Sequence, residues 1–238
     1  SEDLDIEASI NNAEVDYLLH AFNVQFPKQT IGRADIISSW AGVRPVIGSE
    51  SSKDPSKERR DHAVWSDNGL ITVSGGKLTT FRLIALDALT AAFKYLPKAK
   101  SFTDERVFNT PDTAPSDLIA DDPAWAQRLL GRYGSQAKAM LESAPPAERQ
   151  RITGTDFCLA ECRWAARHEA VAHLDDLLLR RTRLGMVMVH GGSELLPSLE
   201  AICKSELGWD SAQWRLEVKR YLSIWQRFYS LPEDNDRP

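Results

Sequence analysis

The sequence predicts an α+β protein, with a mixed α/β portion over residues 1–108 and an all-α portion over residues 109–238. Two observations point to that division: short extended runs concentrate in the first half, and helical periodicity dominates the second. A third is the stretch 97–116, which carries Pro97, Pro111 and Pro115 and little periodicity, so the domain boundary is placed near residue 108.

Taken in order, residues 11 to 26 predict a helix, because Val15, Leu18, Leu19, Phe22 and Phe26 recur at helical spacing and Pro27 follows as a stop. Ile36 to Ile47 reads as extended, as do Asp61 to Trp65 and Leu70 to Ser74, with a polar loop from Gly48 to Ser56. From Leu78 the apolar residues Phe81, Ala85, Leu89, Ala92 and Leu96 form one stripe, which predicts a helix ending before Pro97. Beyond the boundary, helices are expected near 122–133, 156–170, 174–181, 193–207 and 211–229. Met186 to Val189 is the one strand-like exception, bounded by Gly185 and by Gly191-Gly192.

Composition narrows the function classes. With 42% hydrophobic and 26% charged residues the chain is globular in character, and its net charge of −5 argues against a nucleic-acid footprint. No apolar run is long enough to cross a bilayer, and three cysteines form no paired framework, so a reducing, cytoplasmic location is the expectation. The chain opens on Ser1 and no secretory leader is recognised.

The most informative run is Leu70-Ile71-Thr72-Val73-Ser74-Gly75-Gly76-Lys77-Leu78-Thr79-Thr80, a strand that turns through two glycines into a helix. A helix start leaves backbone N–H groups bare and favours an anion. Nucleotide hydrolysis is a poor fit: a Walker A loop needs glycine where Ile71 stands and Ser or Thr where Leu78 stands. On residue types alone, a tight strand-to-helix turn and an anion site remain open alternatives. Arg44 lies between Val43 and Pro45 in an apolar run, where a guanidinium needs water or a paired anion, so a salt bridge and a ligand contact are both open. Arg59 and Arg60 follow, and alternation along a strand sends them to opposite sides.

Other clusters read as structural. Cys158 and Cys162 share a helix face, but His168 lies ten positions past Cys158 and no second close pair exists, so no metal site is assigned. His62, His168 and His173 show no triad spacing. Arg180, Arg181 and Arg183 suit a helix terminus or an ion-pair set, and Trp209, Trp214 and Trp225 suit packing.

Gly42-Val43-Arg44-Pro45, Arg60-Asp61 and Gly75-Gly76-Lys77-Leu78-Thr79-Thr80-Phe81-Arg82 together resemble FAD-dependent glycerol-3-phosphate dehydrogenases, in that family's order and spacing. Glu161 to Glu169 and Asp176 to Gly185 resemble the same family's helical C-terminal domain. The resemblance implies that residues 1–108 are the C-terminal part of an FAD- and substrate-binding domain and that 109–238 are an all-α C-terminal domain. It implies flavin contacts at Gly76, Lys77, Leu78 and Thr79, a catalytic role for Lys77, and a grip on the substrate phosphate by Arg44 and Arg60. The implied reaction takes sn-glycerol 3-phosphate to dihydroxyacetone phosphate by hydride transfer from C2 to FAD.

No Gly-x-Gly-x-x-Gly turn occurs in the 238 residues. The pyrophosphate site and the general base are therefore expected in a missing N-terminal half, and this chain alone is expected to be inactive and to bind FAD weakly or not at all. The resemblance further implies a quinone acceptor, peripheral association with the inner membrane face, and a homodimer. Two rivals accompany this reading: a related flavin oxidase acting on glycerophosphate, an amine or an amino acid, and a non-catalytic helical interaction module.

Overall fold

The computed structural model describes residues 7–43, 62–96 and 112–232. They fall into two compact units, one formed by Ser1–Gly42 with Asn109–Pro238 and the other by Val43–Phe108.

In the first unit, α1 (Asn12–Gln25) is started by Asn11, whose side chain accepts from the Glu14 N–H at 2.9 Å while the Glu14 carboxylate accepts from the Asn11 N–H at 3.0 Å. The chain then folds back, because the Asn23 side-chain amide both donates to and accepts from the Ile31 backbone at 2.9 Å. Residues 36–43, expected to be extended as part of a strand, pair with no strand. Their polar groups are satisfied on the helical core instead. The Ser38 hydroxyl donates to the Met186 carbonyl at 2.7 Å, and the Ser39 N–H donates to the Tyr229 carbonyl at 2.8 Å. These bonds attach residues up to Gly42 to the helical half.

The helical half comprises α3 (Pro115–Leu118), α4 (Pro123–Tyr133), α5 (Ala137–Glu142), α6 (Leu159–His168), α7 (Leu184–Val187), α8 (Leu196–Leu207) and α9 (Ser211–Phe228). Helix α4 begins at Asp122, whose carboxylate accepts from the Trp125 N–H, and α9 begins at Asp210, which accepts from Ala212 and Gln213. Two buried clusters hold the unit. One gathers Leu129, Met140, Ala137 and Ala160; the other gathers Leu174, Leu177, Leu178, Leu184, Leu199, Ile202 and Tyr221. Each such leucine, fully withdrawn from water, contributes about 1.5–3 kcal/mol.

Expected helices at 122–133 and 211–229 match α4 and α9 closely. The segment expected as a helix at 174–181 is a π-helix, Asp176–Arg181, with the Thr182 hydroxyl and N–H both returning to the Leu177 carbonyl. Met186 to Val189 is not a strand. Helix α7 occupies Leu184–Val187, and His190, Gly191 and Gly192 then follow with φ of 51°, 67° and 69°, a left-handed run that turns the chain into α8.

The second unit has strands β1 (His62–Asp67) and β2 (Leu70–Gly75), paired antiparallel with His62 opposite Gly75, and helix α2 (Phe81–Ala92) packed on both. Asn68 and Gly69 make a two-residue turn with φ of 47° and 87°, the type I′ form whose twist suits a hairpin. A 3-10 turn, Leu78–Thr80, leads into α2, and another, Phe93–Tyr95, ends it. The expected helix from Leu78 to Leu96 is thus an α-helix with a tighter turn at each end.

Candidate functional site: the Gly75-Gly76-Lys77 turn

Strand β2 ends at Gly75 with φ 77°, and Gly76 continues with φ 87°, so two successive residues adopt a backbone that side chains rarely take. Space reinforces that requirement at Gly76, where a Cβ would lie 2.5 Å from Ile84 Cδ1 and 3.2 Å from His62 Cβ. The glycines let the chain leave the sheet and start the helix within two residues, flush against α2 and β1.

Lys77 stands in the extended N-cap position. Its N–H lies 3.3 Å from the Thr80 hydroxyl, which donates to the Lys77 carbonyl at 2.9 Å, and the Thr80 N–H donates to that same carbonyl. The N–H groups of Leu78 and Thr79 have no partner within the helix they begin. Lys77, Leu78 and Thr79 are exposed, Leu78 to 89%, and no described side chain pairs with the Lys77 ammonium. The edge of this turn thus offers a cation and outward N–H groups, a combination that attracts electron-rich ligands.

Behind the turn, His62 Nε2 lies 2.7 Å from the Asp87 carboxylate on α2. At the far end of β1, hydrogen bonding to Ser66 and then the neighbouring Lys94 bring the Tyr95 hydroxyl below its ordinary pKa. Gly76, Lys77, Leu78 and Thr79 therefore occupy one continuous edge. Arg44 and Arg60 lie outside the described residues.

Most of the remaining sequence candidates have structural partners in the helical unit. Arg180 pairs with Asp175 at 2.5 Å and Asp176 at 3.2 Å, and Arg181 Nε donates to the Glu169 carbonyl. Cys158, Cys162 and Cys203 are buried free thiols, and burial pushes Cys158 and Cys203 up to about 12. The His168 ring lies tilted against Trp164, with centroids 4.1 Å apart and an interplanar angle of 46°. Trp214 and Trp225 are buried in the core. Among the described residues, no group of three or more His, Cys, Asp or Glu side chains could hold a metal, and no helix is long and apolar enough to cross a membrane.

Sequence reasoning missed one feature near the turn and one in the helical unit. The His62–Asp87 contact joins residues 25 apart, and only the pairing of His62 with Gly75 brings the imidazole under α2. In the helical unit it missed Glu161, fully buried, which accepts from Arg128 at 2.7 and 2.8 Å, from the Tyr133 hydroxyl at 3.0 Å and from the Cys158 N–H at 3.0 Å. A capping pattern of Cys158 followed three residues later by Glu161 was the available signal.

The helical unit carries the domain signature that classifies the molecule. Residues 99–214 match the family model described as the C-terminal domain of alpha-glycerophosphate oxidase. Over 227 residues the chain is 31% identical to glycerol-3-phosphate dehydrogenase 2 of Mycobacterium tuberculosis, covering 89% of this chain and 38% of that protein. It is 28% identical over 244 residues to the mitochondrial glycerol-3-phosphate dehydrogenase SDP6 of Arabidopsis thaliana, covering 91% and 39%. Glycerol-3-phosphate dehydrogenase 1 of Mycobacterium tuberculosis is 33% identical over 186 residues, covering 74% and 36%. The chain belongs to this family of glycerol-3-phosphate dehydrogenases and glycerophosphate oxidases, and it spans about two fifths of the length of the relatives it matches.

Proposed function

We propose that this chain is the C-terminal portion of a flavin-dependent glycerol-3-phosphate dehydrogenase, and that the Gly75-Gly76-Lys77 turn is its contribution to the flavin site. The observation that carries the reading is the exposed edge of Lys77, Leu78 and Thr79 at a glycine-enforced helix start. Its donor set suits the electron-rich edge of a reduced flavin ring; the pyrophosphate needs a Gly-x-Gly-x-x-Gly turn that these residues do not contain.

Bound FAD would supply the hydride acceptor for oxidation of C2 of sn-glycerol 3-phosphate to dihydroxyacetone phosphate. Lys77 and the N–H groups of Leu78 and Thr79 would favour negative charge beside them, which raises the electron affinity of whatever ring they face. Arg44 and Arg60, by the family resemblance, would hold the substrate phosphate through planar forks suited to phosphate oxygens. A fixed phosphate holds the reacting carbon at a defined distance from the acceptor. The base that takes the C2 hydroxyl proton is assigned to the remainder of the longer polypeptide.

The acceptor is proposed to be quinone at the inner face of the membrane. Because the matching family model is named for an oxidase, oxygen is the alternative acceptor. Steady-state assays of the full-length protein with a quinone analogue and with oxygen separate them. Glycerol 3-phosphate should drive quinone reduction with little peroxide, and substantial peroxide would make the protein an oxidase. In the same assay Arg44→Ala and Arg60→Ala should raise the Michaelis constant; unchanged kinetics in both would remove the phosphate assignment.

A further inference from the structure

We infer that His62 and Asp87 form a positioning pair that sets the Gly75-Gly76-Lys77 turn, and with it the flavin-facing edge; this rests on the reading of that turn proposed above.

The geometry behind it is a closed loop of contacts. His62 sits opposite Gly75 in the β1–β2 ladder, so the backbone of His62 fixes where the turn begins. Its Cβ forms part of the surface against which Gly76 lies, together with Ile84 of α2. The imidazole then crosses to α2, with Nε2 2.7 Å from Asp87 Oδ2. A carboxylate accepts only, so Nε2 carries the shared proton. The turn is thereby enclosed on three sides by the strand pairing, the packing of Gly76 and a hydrogen bond to the helix that the turn starts.

None of the described residues of β1, β2 or α2 is buried, and Phe81, Leu83, Trp65, Leu70 and Val73 are exposed. The His62–Asp87 hydrogen bond is a directional contact that ties the hairpin to α2 at the end of β1 next to the turn. Asp87 is 60% exposed, and a pair that accessible adds little to global stability. Its consequence is local, because the same bond orients the residue against which Gly76 lies. Loss of the bond should let the start of α2 shift against β2, moving Lys77 and the N–H groups of Leu78 and Thr79 away from the ring they face.

The test uses the full-length holoenzyme carrying His62→Ala, Asp87→Ala, the double substitution and Asp87→Asn, with Lys77→Ala as a reference. Flavin affinity is measured by reconstitution of stripped protein, alongside the visible spectrum of the bound flavin and thermal stability. Either single alanine substitution should raise the FAD dissociation constant about tenfold, as loss of one charge-assisted hydrogen bond does, and should shift the flavin bands. The double substitution should be no worse than either single one, since both remove the same contact. Asp87→Asn keeps an acceptor oxygen in place and should restore most of the affinity and the spectrum; it reports on the bond even where alanine lowers the yield of folded protein.

Wild-type flavin affinity and spectrum in His62→Ala and Asp87→Ala, additive losses in the double variant, or failure of Asp87→Asn to restore them would each overturn the pairing. The reference separates the two levels of the argument. Altered flavin properties in Lys77→Ala with none in the His62 and Asp87 variants would remove only the positioning pair. No change in any of them would remove the flavin reading of the turn itself.

Discussion

The Tyr221 hydroxyl donates to the Gly191 carbonyl at 2.5 Å, joining the middle of α9 to the left-handed run thirty residues earlier in the chain. Tyr221 is fully buried, and Trp225, one helical turn on, donates its indole N–H to the Gly185 carbonyl at 2.7 Å. These two bonds pin the left-handed run of His190, Gly191 and Gly192 against α9.

Tyr221→Phe should therefore leave the Gly191 carbonyl buried without a partner and destabilise the helical unit by about 1–3 kcal/mol. Chemical denaturation of the wild-type and variant proteins measures the difference. Gly191→Ala should cost at least as much, because φ is 67° and its Cβ would lie 2.9 Å from both Trp225 and the Tyr221 hydroxyl. Wild-type stability in both variants would show that the contact does not hold the turn.

Glu161 collects Arg128, Tyr133 and the Cys158 N–H on one fully buried carboxylate. Burial and the negative charge of Glu161 both push the Tyr133 hydroxyl up, so it stays protonated and donates. Glu161→Ala should strand the Arg128 guanidinium against Phe157 and cost about 3 kcal/mol, read as a lower denaturation midpoint. A change within error would mean that water replaces the carboxylate at no cost.

Glu206 accepts from Arg167 at 2.8 Å and from Arg163 at 2.5 Å, joining α8 to α6. The Arg167 hydrogen bond, then that of Arg163, bring its carboxyl from 4.5 down to about 2. A depressed carboxyl binds its proton more weakly folded than unfolded, so its contribution is complete above about 4.5 and is lost as pH falls toward 2. Unfolding free energy measured across that window should fall more steeply in wild type than in Glu206→Gln. Parallel curves would contradict the assignment.

Cys158, Cys162 and Cys203 are fully buried, and burial raises all three thiols. Because the thiolate is the reacting species, the native protein should resist alkylation at mildly alkaline pH and label at three sites only after denaturant is added. Rapid labelling of the native state, counted by mass spectrometry, would show a local opening of the helical unit.

How far the sequence reveals this molecule depends on whether a feature is local. Helices α4 and α9 follow from apolar spacing plus an aspartate cap, both contained in the helix itself. The turn at Gly75-Gly76 was legible for the same reason, since two glycines before a helix start need little else to explain them. Asn68-Gly69 is an equally local feature that the sequence reading does not use, and only the structure shows it turning β1 into β2. Met186 to Val189 misled because alternating methionine and valine resemble a strand, whereas the conformation is set by hydrogen bonds from Tyr221 and Trp225 far along the chain. The His62–Asp87 pair was hidden likewise, because it exists only once strand register and helix direction are both in place.

Anaerobic titration of the full-length protein decides whether the proposed flavin site acts on a phosphorylated polyol. Addition of sn-glycerol 3-phosphate should bleach the visible flavin absorption stoichiometrically, and Lys77→Ala should slow that bleaching while lowering the flavin reduction potential. A flavin that stays oxidised with glycerol 3-phosphate yet bleaches with an amine or amino acid would contradict the account.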